Sequence, residues 1–476
     1  MLSRSVSKDN SMKNKLLLLG ANIVIILASI SKIHAQNTTE NFVPQFKNLN
    51  YEENYTALQD STLRDNLYKK IKYIPLYKNG YLTIGGEVRL RMEIRDHLNY
   101  GNPPEDRGPD FQQRTRLWAD YHFAKNFRFF AELQSGTSYG LEAKPSPLDK
   151  NQLEFHQLFF DTYQKIGDHN SLQVRLGRQE ITIGKARLFD TRTPPNTKHA
   201  QDAARIIYTT PTWLWEAFGG MDVTDKIGTF NDGWNKNFTF FATHFVKKDP
   251  FKIKGANAEF LYAATNRSAV PTNAFFGSRS AFSARFSGIK GGLNYDVEGI
   301  YQVGNGINNQ NVQAWFIGSE TNYTFASKLK PYIGYKLDIG SGDRNANDNK
   351  NNSYDFLWSK GISFGSDLGY TNLMSFGPAA GLQITPKIKV DLWAQWLWRN
   401  SLEDGLYKMS EAYQRVPSYG TARYVGFRNL LKAEYQVNPY LLLGMYFNRT
   451  YKGTYLKEND HNKDLFYGIF YATVRF

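Results

Sequence analysis

Arginine recurs at every second position in several segments of this chain, a spacing that sets side chains along one face of a β-strand. Arg89 and Arg91 share such a face with Glu87, and Arg114 and Arg116 share another. A planar guanidinium binds a carboxylate through two parallel hydrogen bonds, so such faces can bind anionic groups. The candidate residues for this chemistry are Arg89, Arg91, Arg114, Arg116, Arg128, Arg175, Arg205, Lys336, Asp338, Arg399, Arg428 and Lys432.

Acidic residues alternate with these cations, for example Glu93, Asp120 and Glu132, and this leaves two interpretations. In the first, the charges neutralise each other as ion pairs that stiffen a wall. In the second, the cations exceed the acids and attract anions into a water-filled passage. We favour the second interpretation because arginine predominates over lysine, and arginine suits two-point contact with a carboxylate.

The elements that carry these residues have the alternating pattern of strands. In Leu82–Arg95 the even positions are apolar and most odd positions are charged. The pattern recurs in segments 114–123, 293–302, 389–399 and 424–436. Long polar connections, among them Gln179–Ala200, alternate with short turns and predict about eighteen antiparallel strands in residues 81–476.

Alternation fits both a soluble β-sandwich and a transmembrane barrel, which differ in the face that meets water. Three features favour the barrel: the rhythm of short and long connections, the aromatic ends of the apolar faces, and a last strand that stops at Phe476. Closure also satisfies the strand edges that lipid cannot. We therefore predict an all-β fold, a transmembrane antiparallel barrel with short periplasmic turns and long external loops, wide enough for an aqueous channel.

Composition excludes several other classes of protein. The 476-residue chain has no cysteine, which excludes disulfide scaffolds and thiolate chemistry. Its eight histidines never fall at metal-ligand spacing, so we expect no metal ion and no cofactor. A mean hydropathy of −0.52, with no apolar run of about 18 residues, excludes a helical membrane protein.

Residues 1–35 have the pattern of a cleavable secretory signal peptide. Lys13 and Lys15 precede the apolar run 16–30, and Ala35 offers a small residue at the cleavage point. Because the protein is expected to be exported, cytoplasmic nucleic acid is not the obvious partner of its formal net charge of +14. Residues 36–80 are polar and irregular, and we expect a periplasmic N-terminal segment. The predicted location is the outer membrane of a Gram-negative cell.

The segment Gly340–Gly369 is predicted to be the longest external loop. Its run of Asn, Asp, Lys and Gly offers little apolar surface for packing. We therefore expect it to be mobile and to lie over the mouth of the barrel as a lid.

Several short motifs resemble the alginate export family of outer-membrane porins. They are Gly177-Arg178-Gln179-Glu180, Asp202-Ala203-Ala204-Arg205, Gly340-Ser341-Gly342-Asp343 and Trp398-Arg399-Asn400-Ser401, and the resemblance extends over about residues 70–476. It implies an eighteen-stranded barrel with an arginine-rich lumen that passes an anionic uronate polymer. It also implies that Arg178 belongs with the pore-lining candidates.

We expect a monomeric, passive and non-enzymatic channel for export or uptake of an anionic polysaccharide or oligosaccharide, such as alginate, or of another carboxylate solute. Its other expected partners are outer-membrane lipid and the barrel-assembly machinery. Two alternatives stay open. One is a surface receptor whose loops bind glycan or a partner protein while the lumen is plugged. The other is a membrane-embedded hydrolase, although no serine-containing motif accompanies His122 or His156.

Overall fold

The computed structural model describes residues 46–102, 108–141, 145–268, 275, 277–306, 309–345, 347–359, 361, 368–410, 413–458 and 463–476. The predicted signal peptide therefore lies outside the described residues. The long strands are β1 (Tyr81–Asp96), β2 (Gly108–Phe123), β3 (Phe127–Tyr139), β4 (Asn151–Ile166), β5 (Asn170–Gln179), β6 (Gln201–Thr209), β7 (Trp213–Thr224), β8 (Gly233–Lys248), β9 (Ala256–Arg267), β10 (Gly277–Lys290), β11 (Leu293–Asn305), β12 (Asn311–Thr324), β13 (Tyr332–Gly340), β14 (Leu373–Thr385), β15 (Ile388–Arg399), β16 (Tyr424–Asn438), β17 (Leu441–Lys452) and β18 (Leu465–Arg475).

These strands form one closed antiparallel barrel of 18 strands, as the alternation predicts. Each strand pairs with the next, and β18 pairs with β1 through a register that sets Met92 opposite Phe470. Short strands outside this set are Ile74–Pro75, Lys350–Asn351, Leu406–Tyr407 and Tyr413–Arg415. The α-helices are α1 (Leu67–Lys72) and α2 (Thr454–Lys457). Among the described residues, no helix is long and apolar enough to cross a membrane.

Short single-turn 3₁₀-helices occupy several connections and the segment before the barrel. They are Asn50–Glu52, Thr56–Gln59, Ser61–Leu63, Tyr77–Asn79, Pro250–Lys252 and Pro417–Tyr419. The chain enters β1 and leaves β18 at the end of the barrel where the strands are joined by short turns. In outer-membrane barrels the short turns face the periplasm, so this is the periplasmic end.

The apolar strand faces point outward and the charged faces point inward. Leu117 is 48% exposed and Leu176 is 52% exposed, whereas the neighbouring Arg116 and Arg175 are buried inside the barrel. Side chains alternate along a strand, so one wall presents an apolar face to lipid and a charged face to the lumen. The predicted facing of the strands is therefore confirmed.

The prediction of a mobile lid at Gly340–Gly369 is wrong for the described part of this segment. Tyr354, Phe356 and Trp358 are all buried. The indole of Trp358 stacks on Phe238 with ring centroids 4.8 Å apart, and its Nε1 donates a hydrogen bond to Asp222 at 2.8 Å. The aromatic residues that follow the polar run supply the apolar surface that holds the loop inside the barrel.

Candidate functional site

The connection between β5 and β6, residues 180–200, folds into the lumen and is called the inward loop. β5 has ten residues and β6 has nine, compared with sixteen in each of β1 and β2, so the chain leaves the wall early. Ile181, Leu188 and Phe189 of the inward loop are buried. The main chain of Trp358 donates to the carbonyl oxygen of Leu188 at 3.1 Å, so the two loops that enter the lumen are packed together.

Arginines of β1 bind the inward loop through its backbone carbonyl groups. Arg89 donates to the carbonyl oxygens of Thr193 at 3.2 Å and Pro195 at 2.7 Å. Arg91 donates to the carbonyl oxygen of Pro194, which lies between them. Proline has no N–H group and a fixed φ, so this short segment presents acceptors to the wall on a stiff backbone.

A third arginine, Arg114, adds positive charge where Arg89 and Arg91 contact the inward loop. Arg114 of β2 lies directly opposite Arg89 of β1, where like charges repel. Glu87 accepts from Arg114 at 2.8 Å and from Arg475 at 2.9 Å, so two guanidinium groups share one carboxylate. Among the described residues no carboxylate pairs with Arg89, and its buried Nε has no hydrogen-bond partner. Arg89 therefore forms no ion pair with an acid in the described part of the chain.

Two cavities share Arg91 as a lining residue. The inner cavity, at the periplasmic end, has a volume of about 780 Å³, and its charged lining consists of six cations and two acids: Arg89, Arg91, Arg114, Lys387, Lys432, Arg475, Glu87 and Glu434. The outer cavity has a volume of about 700 Å³, and its charged lining is Arg91, Arg95, Arg192, Lys408, Glu93, Asp149 and Asp225. Arg91 lines both cavities, so we define the candidate constriction as Arg89, Arg91, Arg114 and the segment Thr193–Pro195.

Arg116 does not face either cavity but belongs to a buried cluster of charges behind the inward loop. It binds Glu132 at 2.6 Å and Glu180 at 2.9 Å, and Lys198 binds Glu180 at 2.6 Å. Burial, followed by the nearby Arg116, lowers the pKa of Lys198 to about 8. Glu132, His156 and Glu180 hold three potential metal-ligand atoms within 4.8 Å of one another. The two cations already neutralise the two carboxylates there, so the donor set does not favour a metal ion.

Arg128, Arg175 and Arg205 also lie on the inner wall beside carboxylates. Arg175 binds Asp161 at 2.7 Å, and Arg128 lies 3.4 Å from the same carboxylate. Arg205 binds Glu216 at 2.5 Å. This part of the wall fits the first interpretation of the alternating charges, a network of ion pairs. At the candidate constriction, Arg91 pairs with Glu93 and Arg114 with Glu87, whereas Arg89 has no acidic partner among the described residues.

The remaining inward candidates lie on β13 and β16. Lys336 is 3.7 Å from Asp338, and Lys432 is 2.8 Å from Glu434 at the edge of the inner cavity. Arg428 is fully buried, and its Nε donates to Thr450 at 2.9 Å. The structure does not bring these residues to the candidate constriction, apart from Lys432, which shares the inner cavity with it.

Arg399 is an anchor for a loop rather than part of the lumen surface. Its guanidinium donates to the carbonyl oxygens of Ala422 at 2.7 Å and Asp404 at 3.2 Å, and it lies 4.0 Å from the ring centroid of Tyr455. All of these partners lie at the external end of the barrel. Its assignment as a pore-lining residue is therefore corrected, because its donors are used by backbone carbonyls.

Arg178 lies on the outer face of the barrel, which corrects its assignment as a pore-lining residue. It follows the outward Leu176 by two positions, and it is opposite Leu158, which is also exposed. Its partner is Asp202 on the next strand, at 2.9 Å. Alternation fixes this direction, because Arg175 faces inward and lies an odd number of positions away.

The structure also shows ion pairs at residues outside the set of candidate site residues. Arg187 of the inward loop binds Asp296 at 2.7 Å and Glu298 at 2.9 Å on the far wall. Arg285 binds Asp296 as well, so charged pairs continue around the lumen. For the segment Thr193–Pro195 of the inward loop, the signal available in the sequence was the pair of adjacent prolines, 194 and 195. Their two fixed φ angles indicate a stiff segment.

The chain before the barrel enters the periplasmic end of the lumen. The side chain of Lys198 donates to the carbonyl oxygen of Asn48 at 3.2 Å, and the hydroxyl of Tyr51 donates to the carbonyl oxygen of Glu180 at 2.8 Å. The guanidinium of Arg175 lies 4.1 Å from the ring centroid of Tyr51. Residues 46–80, the N-terminal segment, are thus docked against the inward loop and the wall rather than free in the periplasm.

Lys72, at the end of α1, binds the N-terminal segment to the barrel next to the place where β18 pairs with β1. Its ammonium donates to the backbone oxygen of Phe476 at 2.9 Å and lies 4.8 Å from the ring centroid of Tyr55 and 5.3 Å from that of Trp118. Burial lowers the pKa of Lys72 from 10.5 to about 8. The neutral amine can still donate to Phe476.

Docking of the N-terminal segment is expected to strengthen between pH 7 and about pH 9.5. The docked Lys72 loses its proton near pH 8 and an undocked lysine near pH 10.5, so docking releases protons in this range. The gain is about 2 kcal/mol at the upper pH. We expect the fraction of time at the lower conductance in single-channel recordings to rise with pH, and Lys72→Met to remove this response. An equal response of both proteins to pH would contradict the role of Lys72.

The sequence model of the family described as alginate export matches residues 80–462. The chain belongs to the alginate export family. This membership, together with the closed barrel, identifies an outer-membrane channel protein. No curated protein sequence is significantly similar to this alginate export family member.

Solved outer-membrane proteins share the fold of this alginate export family member. OpdK from Pseudomonas aeruginosa has a TM-score of 0.57 at 10% identity, over 83% of this chain and 98% of OpdK. OccD3 (OpdP) from the same organism has a TM-score of 0.55 at 9% identity, over 86% and 93% of the two chains. OccK2 (OpdF), solved in complex with glucuronate, has a TM-score of 0.54 at 10% identity, over 83% and 96%.

Proposed function

We propose that this channel passes an anionic saccharide or another carboxylate solute, such as a uronate oligomer, by passive diffusion. The observation that carries the proposal is the charge of the inner cavity, where six cationic side chains face two acidic ones. A water-filled passage in a low-dielectric wall concentrates such a field and raises the local concentration of anions. Guanidinium groups at the candidate constriction add two-point contact with carboxylates.

Two comparisons are consistent with this solute class. OpdF has been solved with glucuronate, a sugar carboxylate, and OpdK has been solved with vanillate, an aromatic carboxylate. Both proteins share only the barrel fold with this chain. The proposal assigns no catalytic step and no cofactor, because diffusion through a pore requires neither.

The second candidate function is a receptor with a plugged lumen, and the docked N-terminal segment is the observation that favours it. Tyr51 is buried between the inward loop and the wall, and Asn50 contacts Glu132 of the wall. A channel must release this segment or conduct past it, whereas a receptor needs neither. The inner and outer cavities, which share Arg91 as a lining residue, favour conduction past it.

Reconstitution of the full chain in a planar bilayer tests the proposal. We expect a reversal potential on the anion-selective side in a salt gradient, and block of the current by oligomers of glucuronate at lower concentration than by neutral oligomers of the same length. A receptor would give no channel current. A cation-selective current, or equal block by charged and neutral oligomers, would contradict the proposed solute class.

A further inference from the structure

We propose that the outer wall at β8–β12 binds one anionic phospholipid of the periplasmic leaflet, with an acyl chain in a groove and the headgroup on a cluster of lysines. This inference concerns the lipid face of the barrel and does not depend on the solute that the lumen passes. Its two parts, an apolar groove and a charged rim, lie on the same strands.

The groove is a trough between rows of aromatic side chains. It has a volume of about 670 Å³ and an apolar lining. Ala284 of β10 and Gly299 of β11 lie directly opposite each other and form its floor, with Phe260 and Ile317 on the neighbouring strands at the same level. A Cβ atom added at Gly299 would meet no heavy atom within 4 Å, so the floor is open.

Two residues farther along each strand toward the external end, a row of aromatic rings closes the trough. The row is formed by Tyr262, Phe282, Tyr301 and Trp315, which are paired neighbours on successive strands. Phe282 and Tyr301 are exposed on the lipid face. A narrow apolar trough with a closed end suits a flexible hydrocarbon chain, which gains van der Waals contacts along the walls of the trough.

The charged rim lies at the periplasmic ends of the same strands. The turn residues and strand ends there include seven lysines: Lys247, Lys248, Lys252, Lys254, Lys290, Lys328 and Lys330. Asp249 is the one acid in segments 247–255, 288–294 and 325–331, and its carboxylate is turned back to accept the N–H of Gly255 at 2.7 Å. Basic clusters at the membrane surface attract anionic lipid headgroups, by about 1 kcal/mol for each lysine.

The distance between groove and rim corresponds to one leaflet. Lys290 follows Ala284 by six residues on β10, which is about 20 Å along the strand. With a strand tilt of about 40°, this spans about 15 Å along the membrane normal. Half of a hydrocarbon core of about 30 Å has the same thickness. A lipid with its phosphate at the lysines would therefore place its acyl chain in the trough.

A strained turn in the rim supports a contact with the membrane interface. Asp249, Phe251 and Lys252 all have positive φ angles, between 48° and 62°. Such angles are unfavourable for a bulky residue such as phenylalanine, and here they turn a ring that is 86% exposed out of the barrel. An aromatic ring at this level lies among headgroups and the upper parts of acyl chains.

A second copy of this chain is the competing occupant of the trough. Packing of two copies through this wall would bring the lysine-rich turns of both copies close together, and like charges would oppose the contact. A phosphate offers the opposite charge. The charge of the rim therefore favours the lipid.

Native mass spectrometry of the folded full chain with phosphatidylglycerol tests the proposal. We expect one lipid to bind more tightly than phosphatidylcholine does, and Lys252→Ala with Lys254→Ala to raise the dissociation constant about 30-fold, or about fivefold for each lysine. Gly299→Leu fills the trough and should raise the dissociation constant several-fold, because the leucine side chain occupies the floor on which the acyl chain packs.

Two matched variants control for general effects of charge and bulk. Lys125→Ala with Lys165→Ala removes the same charge from the periplasmic ends of other strands, and Ala433→Leu places the same leucine side chain on the outer face of β16. Both should bind phosphatidylglycerol as the native chain does. Equal affinity for phosphatidylcholine, unchanged affinity in Gly299→Leu, or a dimer that Gly299→Leu dissociates would each overturn the proposal. Retention of the heat-resistant folded barrel on gels shows that every variant is assembled.

Discussion

Replacing Arg89 by Gln is expected to lower the anion permeability of the channel about fourfold and to raise the cation permeability about fourfold, so that the anion-to-cation permeability ratio falls about 16-fold. Arg89 lines the inner cavity and has no acidic partner among the described residues, so its charge acts on permeating ions. A unit charge about 5 Å from an ion contributes about 0.8 kcal/mol in water, which corresponds to about fourfold. Arg91 and Arg114 still hold the inward loop in this variant. The reversal potential in a salt gradient measures the change.

Arg178→Gln is the matched control for this experiment. It removes the same charge from a position on the outer face, where Asp202 already neutralises it. We expect the reversal potential of this variant to equal that of the native channel. If Arg89→Gln also left the reversal potential unchanged, Arg89 would serve only to hold the inward loop, and the proposed anion preference would lose its main support.

The strand pattern was sufficient to predict the barrel, because lipid outside and water inside impose a strict period of two. The same period separates inward Arg175 from outward Arg178, yet the resemblance to a family motif placed Arg178 in the lumen. The alternation along β5 by itself predicts that Arg178 points outward. The local spacing of residues was more informative here than the motif.

The sequence did not reveal which charges remain uncompensated, because this depends on strand register and on where loops fold. Arg89 and Arg116 are both inward arginines on neighbouring strands. Arg116 meets Glu180, which arrives from the inward loop, whereas Arg89 meets the carbonyl groups of Thr193 and Pro195. Two arginines with similar positions in the strand pattern therefore differ in whether an acid neutralises them. The difference comes from partners that lie more than 60 residues away in the sequence.

Loop direction was the other feature that the pattern could not supply. The predicted connection Gln179–Ala200 differs by one residue from the observed connection, 180–200, but its many polar residues gave no sign that it enters the lumen. Polar loops enter a barrel readily when the wall itself is polar, because buried carbonyl groups then find donors such as Arg89 and Arg91. Polar loops are excluded from the interior of a protein where that interior is an apolar core, and the lumen of this barrel is polar.

Tyr51→Ala is expected to raise single-channel conductance several-fold by releasing the N-terminal segment. The ring of Tyr51 packs edge-on against Phe159 at 5.5 Å and against the guanidinium of Arg175, and its hydroxyl binds the inward loop at Glu180. Loss of a buried aromatic side chain costs about 3 kcal/mol or more, which raises the undocked population about 150-fold. Single-channel conductance in a planar bilayer measures the result.

Leu67→Ala provides the comparison, since Leu67 lies in α1 of the same segment but is 74% exposed. This variant should conduct as the native channel does. Undocking would also uncover Arg128, which donates to the carbonyl oxygen of Tyr51 at 2.6 Å, so Tyr51→Ala should become more susceptible to block by glucuronate oligomers. If its conductance and block matched those of the native channel, the N-terminal segment would not obstruct the path of ions, and conduction would run through the two cavities with the segment in place.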